Sequence, residues 1–156
     1  MAEDHFKGNA MTYRDVFVRE VRVSYHQTSE ELFDIRSPQD VATFVRKVLT
    51  DNSREHMVAL FLSGSHAVAS FSVVSIGTAN SALVHPREVF QRAISCGAVA
   101  LVLCHTHPSG NTTPSDEDVR TTKKLKEAGE LLGITLLDHV IITDSAFHSM
   151  KENGLW

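Results

Sequence analysis

The sequence predicts an α/β fold: a single domain in which helices sandwich a mixed β-sheet. Apolar runs of strand length alternate along the chain with segments whose apolar residues recur at helical spacing. The chain has 156 residues, 42% of them hydrophobic and 22% charged, which is enough for one domain with a sizeable core. Helices interleaved with strands favour layers packed around a sheet.

The N-terminal elements are predicted from one alternating segment and one helix start. We expect residues 1–11 to be loosely ordered and residues 12–156 to form the domain. The segment 16–25 partly alternates between apolar and polar residues, so it predicts a first strand. Ser37 and Pro38 indicate a helix, because serine caps helices and proline is favoured at the first helical position. Its apolar stripe consists of Val41, Phe44, Val45 and Val48.

The middle of the chain predicts a hairpin followed by a helix. Residues 57–62 and 67–74 are apolar runs separated by a short Ser-Gly-Ser turn. A second helix is predicted to begin at Pro86 and to end before Gly97. The residues expected on its buried side are Val89, Phe90, Ala93 and Ile94.

The C-terminal part predicts two core strands around the longest helix. Residues 98–104 form a continuous apolar run, which is typical of a central strand covered on both faces. The helix is predicted over residues 115–132 and is ended by Gly133. Residues 134–143 predict the last core strand, and residues 147–150 predict a short return strand.

Cysteine usage and hydropathy exclude several classes of protein. Two cysteines, Cys96 and Cys104, are too few for a disulfide scaffold, and we interpret both as buried thiols in a reducing compartment. No apolar run approaches the ~20 residues of a membrane helix, and the N-terminus has no signal-peptide pattern. We therefore expect a cytoplasmic protein with no membrane segment.

One stretch contains several residues that could bind a metal or take part in catalysis. His105 and His107 close the apolar run 98–104, and residues i and i+2 of a strand point to the same face. A turn rich in proline and glycine follows, and Ser115 and Asp118 then begin the long helix. Two imidazole nitrogens and one carboxylate oxygen leave a fourth position open for water, as in zinc hydrolases. The pattern predicts Zn²⁺ held by both histidines and Asp118.

An ordinary structural interpretation of the same residues stays open. The chain contains nine histidines, so one His-x-His pair can arise by chance. Asp118 also stands where a capping-box carboxylate serves the helix start. These two roles of Asp118 compete, and a metal site therefore predicts that Ser115 caps the helix without a full reciprocal bond. Cys104 should face away from His105 and belong to the core.

The spacing of these residues resembles a known signature. His105-Thr-His107, seven residues, Ser115, two residues and Asp118 is similar to the signature of the JAMM (JAB/MPN) metalloproteases. Several further segments resemble the bacterial RadC family, and the resemblance spans about residues 35–155. These segments are Arg54-Glu55-His56, Val74-Ser-Ile-Gly-Thr78, Val84-His-Pro-Arg-Glu-Val-Phe90 and Leu136-Leu-Asp-His139.

The chain departs from the RadC pattern in two ways. Thr106 stands between the histidines, where many relatives have asparagine. The first residues are also too few for the N-terminal helix-hairpin-helix segment that RadC proteins often carry.

The resemblance implies a JAB/MPN fold, similar to that of cytidine deaminases, and a general base. It points to Glu55 as the carboxylate that takes a proton from water and returns it to the leaving group. Ser115 is expected to donate a hydrogen bond to the oxyanion of the intermediate. Three residues carry lower weight and are expected to have packing or orienting roles: His85, Asp138 and His139.

Three functions follow from the sequence as alternatives. The first is a zinc-dependent hydrolase that cleaves a peptide or isopeptide bond in a peptide or protein substrate. The second is a DNA-repair-associated or DNA-binding protein, which the sequence supports only weakly, because the net charge is −4 and nucleic-acid binders usually have a basic surface. The third is a catalytically silent MPN scaffold, although every signature residue is present. The basic run that nucleic acid would use is Arg120, Lys123, Lys124 and Lys126. The scissile bond and the oligomeric state stay open.

Overall fold

The computed structural model describes residues 33–51, 53–77 and 84–156, together with residues 22, 24, 26–28 and 31. The predicted loose segment 1–11 lies outside these residues, as does most of the predicted strand 16–25. The described residues form six strands and three helices. They are β1 (Phe33–Asp34), α1 (Pro38–Val48), β2 (Glu55–Leu62), β3 (Ala67–Gly77), α2 (Pro86–Ser95), β4 (Ala100–Thr106), α3 (Asp116–Leu132), β5 (Thr135–Ile142) and β6 (Phe147–Ser149).

The described strands form one mixed sheet in the order β1-β3-β2-β4-β5-β6. β4 and β5 are parallel, and the other neighbouring pairs are antiparallel. The parallel pair requires a crossover, which α3 supplies. The predicted α/β fold with a mixed sheet is confirmed.

Helices cover both faces of this sheet. Alternate residues of β2 and β4 point to opposite faces, so one buried cluster contains Val58 and Cys104 with the stripe of α1. The other cluster contains Met57 and Leu103 with residues of α2 and α3. The central, doubly covered strand that the apolar run predicted is therefore confirmed, as is the burial of Cys104 away from His105.

Two burial predictions for the region after β3 were wrong. Ile94 is 59% exposed, because it lies roughly 90° around α2 from the middle of the buried stripe. Cys96 is only half-buried, since it caps the C-terminus of that helix, where its Sγ lies 3.3 Å from the Ala93 carbonyl. β4 also extends through Thr106, so His105 is part of the strand.

The ends of α3 place this helix over β4 and β5. Ser115 is its N-cap, and Gly133 ends it in the left-handed conformation at φ 69°. Gly129 packs against the backbone carbonyl of Ile134 so closely that a Cβ would collide with it. Among the described residues, none of the helices is long and apolar enough to cross a membrane.

Candidate metal centre

Strand pairing brings Glu55 to the histidine pair. Met57 of β2 lies opposite His105 of β4, so the start of β2 lies beside the end of β4. One ligand atom from each of Glu55, His105 and His107 lies within 4.8 Å of the others. The two imidazole rings stand edge to face with centroids 4.5 Å apart. Sequence spacing alone could not show this proximity of Glu55.

Asp118 lies at the opposite side of the His105 ring. Its Oδ1 is 3.0 Å from His105 Nδ1, whereas His105 Nε2 faces Glu55 Oε2 at 3.5 Å. Burial alone would raise the pKa of Asp118, but the hydrogen bonds from His105 and Ser115 outweigh it and hold this pKa well below its usual value. An ionised carboxylate can only accept, so His105 Nδ1 carries the proton.

In the neutral ring, which is the form that binds a metal, this tautomer makes His105 Nε2 a buried acceptor. His105 is 6% exposed, and its Nε2 has no hydrogen-bond partner among the residues that the structure describes. A neutral imidazole therefore directs a lone pair towards the Glu55 carboxylate. Two acceptors at this distance repel each other unless a cation or a proton lies between them. The donor set of the cluster fits a divalent cation of the zinc type.

His107 is oriented in a similar way by the loop that follows β4. Its Nδ1 lies 2.7 Å from the carbonyl of Asn111, which can only accept a hydrogen bond. Nδ1 is therefore protonated, and Nε2 of the neutral ring is free to act as a ligand. A partner on the other ring nitrogen is the usual way in which proteins orient a metal-binding histidine. Asn111 is a supporting residue that the sequence pattern did not reveal.

The helix cap at Ser115 is more complete than predicted. Ser115 Oγ accepts a hydrogen bond from the Asp118 amide at 3.1 Å, and the Ser115 amide donates to Asp118 Oδ2 at 2.8 Å. We expected Ser115 to cap the helix without a return hydrogen bond to Asp118, and this was wrong. Both bonds are present because the two carboxylate oxygens of Asp118 have different partners. Oδ2 serves the cap, and Oδ1 contacts His105.

The same cap fixes the Ser115 hydroxyl. Ser115 Oγ donates to Asp118 Oδ2 at 2.6 Å, so its proton is directed at the carboxylate. The structure thus brings Glu55, His105 and His107 into one group and connects Asp118 and Ser115 to that group through the far side of the His105 ring. The predicted roles of these five residues stay predictions.

A buried chain of hydrogen bonds supports Asp118 from below. Thr122 Oγ1 donates to the Asp118 carbonyl at 2.6 Å, and His139 Nδ1 lies 2.6 Å from the same hydroxyl. The hydroxyl has one proton, so the imidazole donates to it. The His139 ring lies nearly parallel to that of His105, with centroids 6.3 Å apart. In the sequence, this hydrogen bond is indicated only by the position of Thr122, one helical turn after Asp118.

Other residues noted in the sequence have structural roles. Asp138 accepts from Ser149 Oγ at 2.6 Å and from the Lys151 amide at 3.1 Å, as expected of an orienting carboxylate. His85 caps α2 by accepting from the Arg87 amide. In the basic run, Arg120 pairs with Glu117, and Lys126 lies over the Trp156 ring.

The buried imidazole of His139 predicts a specific pH dependence of stability. Burial, together with His105 and His107, lowers the pKa of His139 to about 3, although Asp118 opposes this shift. In the unfolded chain this pKa is about 6.5. The unfolded chain thus binds the proton first, and stability is lost as pH falls from about 6.5 towards 3, by at most about 1.4 kcal/mol per pH unit.

Denaturant unfolding in chelator between pH 7.5 and 4.5 measures this slope. His139→Gln keeps an N–H donor for Thr122 but has no titrating ring, so its slope should be lower than that of the wild type by nearly one proton. Equal slopes for the two proteins would contradict the neutral state of His139.

Comparison with known proteins now identifies the family. Residues 35–155 match the model of the RadC-like JAB domain. A UPF0758 protein of Desulforamulus reducens is 50% identical over 121 residues, which is 78% of this chain and 53% of that relative. UPF0758 proteins of Clostridium novyi and Bacillus pumilus are 46% and 43% identical over 127 and 130 residues, or 81% and 83% of this chain.

The chain spans little more than half the length of these curated relatives, with 56% and 58% of the latter two covered. Their names state no activity. The family match and these relatives confirm the resemblance to the RadC family that the order of motifs in the sequence predicted. The chain belongs to the RadC-like JAB domain family.

Proposed function

We propose that this chain is a zinc-dependent hydrolase of the JAMM type that uses water to cleave a peptide or isopeptide bond. The observation that carries the proposal is the pair of facing acceptors, His105 Nε2 and Glu55 Oε2, 3.5 Å apart. A cation bound between them and His107 would satisfy both groups. Nitrogen and oxygen donors of this kind suit zinc.

Two histidines and one carboxylate would hold the ion. His105 and His107 each have Nδ1 engaged by an acceptor, which leaves Nε2 for the metal. The family resemblance implies Asp118 as the third ligand. Ligation by Asp118 would replace its hydrogen bond with His105 Nδ1, whereas Glu55 already faces the free nitrogen of His105. When bound, zinc would supply Lewis acidity and lower the pKa of water.

Glu55 is suited to moving the proton. Its side chain is 24% exposed, so it can meet both the buried histidine and a substrate that arrives from solvent. In the proposed reaction, its carboxylate takes a proton from the attacking water and delivers it to the leaving nitrogen. The hydrolysis thus releases one amine and one carboxylate, and Glu55 returns to its starting state.

Ser115 is connected to the histidine pair through Asp118, to which its hydroxyl donates. Its proton points to Asp118 in the structure. We propose that a bound substrate draws this proton towards the oxyanion that develops during attack on the carbonyl. The helix cap would then depend on the hydrogen bond that the Asp118 backbone amide donates to Ser115 Oγ. That bond does not use the hydroxyl proton.

The alternatives have weaker support. Nucleic-acid binding requires a basic surface, but the chain has a net charge of −4, and Arg120 of the basic run is paired with Glu117. A silent scaffold would have lost signature residues, and all five are present here. A peptide or protein is therefore the proposed substrate.

The zinc content of variants tests the site. We expect the wild type to hold about one zinc per chain and His107→Ala to lose it, because one of few ligands is removed. Asp118→Asn and Glu55→Gln then identify the carboxylate ligand, since only the variant that removes a ligand should lose the ion. His66→Asn, on the exposed β2–β3 turn, is the control. Equal zinc in wild type and His107→Ala would refute the site.

The turnover of Glu55→Gln tests the reaction. In Glu55→Gln that retains zinc and fold, the amide cannot accept a proton, so we expect turnover of a peptide library to fall about 10²–10⁴-fold. Glu127→Gln, on the exposed face of α3, should remain fully active. A DNA-binding protein would instead keep its affinity in Glu55→Gln and lose it after charge reversal at Lys123 and Lys124. That pattern would favour the second function.

Three substitutions separate the two roles of Ser115. Ser115→Ala removes cap and donor and should cost about 0.5–2 kcal/mol of stability. If the hydroxyl also serves the oxyanion, Ser115→Ala and Ser115→Asp should lose turnover about 10²–10³-fold. Ser115→Thr keeps both functions and should stay partly active. Full activity of folded Ser115→Ala would leave the residue as a cap alone.

A further inference from the structure

The residue between the two histidines makes a contact that the proposed reaction has not used. Thr106 Oγ1 accepts a hydrogen bond from the backbone amide of His56 at 2.9 Å. The backbone register of β2 and β4 runs from Leu62 opposite Ala100 to Met57 opposite His105. His56 lies just beyond this register. The Thr106 side chain therefore extends the hydrogen bonding between β2 and β4 by one residue beyond the last backbone pair, Met57 and His105.

The segment that contains Glu55 is held on both sides, because β3 pairs with it on one side and Thr106 of β4 bonds to it on the other. His56 is 4% exposed, and its Nδ1 lies 2.9 Å from the Arg54 carbonyl, to which it can only donate. This bond spans Glu55 from one neighbour to the other. The Thr106 hydroxyl then attaches the whole segment to β4, the strand that carries His105. The 3.5 Å approach of Glu55 to His105 depends on the position of that segment.

We propose that Thr106 is a positioning residue for Glu55: its hydroxyl holds the start of β2 against β4, so that the Glu55 carboxylate faces His105. The proposal rests on the proposed function, in which Glu55 moves the proton. Any side chain with an acceptor oxygen at this reach can do the same work, and a methyl group cannot. A displacement of a reacting group by about 1 Å can cost about 10²-fold in rate.

Three substitutions isolate the acceptor. Thr106→Val keeps the shape of the side chain but removes the oxygen, whereas Thr106→Ser and Thr106→Asn keep an acceptor. Amide exchange of His56, followed by NMR in chelator, measures the hydrogen bond without metal or turnover. We expect exchange at this amide to be at least tenfold faster in Thr106→Val and near the wild-type rate in the other two.

Turnover measures the consequence for Glu55. In zinc-loaded protein, Thr106→Val should lower kcat by about 10²-fold with little change in KM, because proton transfer and not binding is affected. Zinc content should follow the wild type if Asp118 is the third ligand. Thr106→Ser and Thr106→Asn should retain most of kcat. If Thr106→Val does not fold, Thr106→Ala removes the same oxygen with less steric demand.

A double-mutant cycle separates positioning from general stability. In the Glu55→Gln background, Thr106→Val should cause little further loss of turnover, because the group that it positions is already gone. An equal loss in both backgrounds would overturn the proposal, as would unchanged exchange at the His56 amide. If the wild-type protein has no hydrolase activity, the result counts against the proposed function. The exchange rate of the His56 amide would still decide whether Thr106 holds this segment.

Discussion

The hydrogen bond between His105 Nδ1 and Asp118 Oδ1 is the interaction on which the rest of the site depends. It fixes the tautomer of a buried imidazole and turns the lone pair of Nε2 towards Glu55. Without an acceptor on the Asp118 side, either ring nitrogen of His105 could carry the proton, and the cluster would have no defined acceptor. A carboxylate behind a histidine is a common device for raising its basicity as a ligand.

The fold keeps this carboxylate ionised and in place. Asp118 lies in the first turn of α3, where the helix dipole favours a negative charge, and Ser115 closes the cap over its second oxygen. Thr122 and His139 fix the backbone beneath it. Because α3 connects the parallel strands β4 and β5, the helix that carries Asp118 starts near the strand end that carries His105 and His107.

Local features of the chain were predictable from sequence, and contacts between distant segments were not. Proline at the start of α1 and glycine after α3 define helix ends through their own backbone preferences, so those bounds agree closely with the structure. The alternation of β4 also placed Cys104 in the core correctly. The distance from Glu55 to His105 depends on how β2 and β4 pair, which no local pattern encodes. The divided use of the Asp118 oxygens escaped prediction for the same reason, and only the family resemblance pointed to Glu55.

The central claim is that His105, His107 and a carboxylate bind one cation between them. Anomalous diffraction at the zinc edge, from crystals of zinc-loaded protein, tests it most directly. The account predicts one anomalous peak at the cluster, bonded to Nε2 of both histidines and next to Glu55, with Asp118 Oδ1 still within hydrogen-bond distance of His105 Nδ1. A protein that binds zinc elsewhere, or shows no peak at this cluster under zinc saturation, would contradict it.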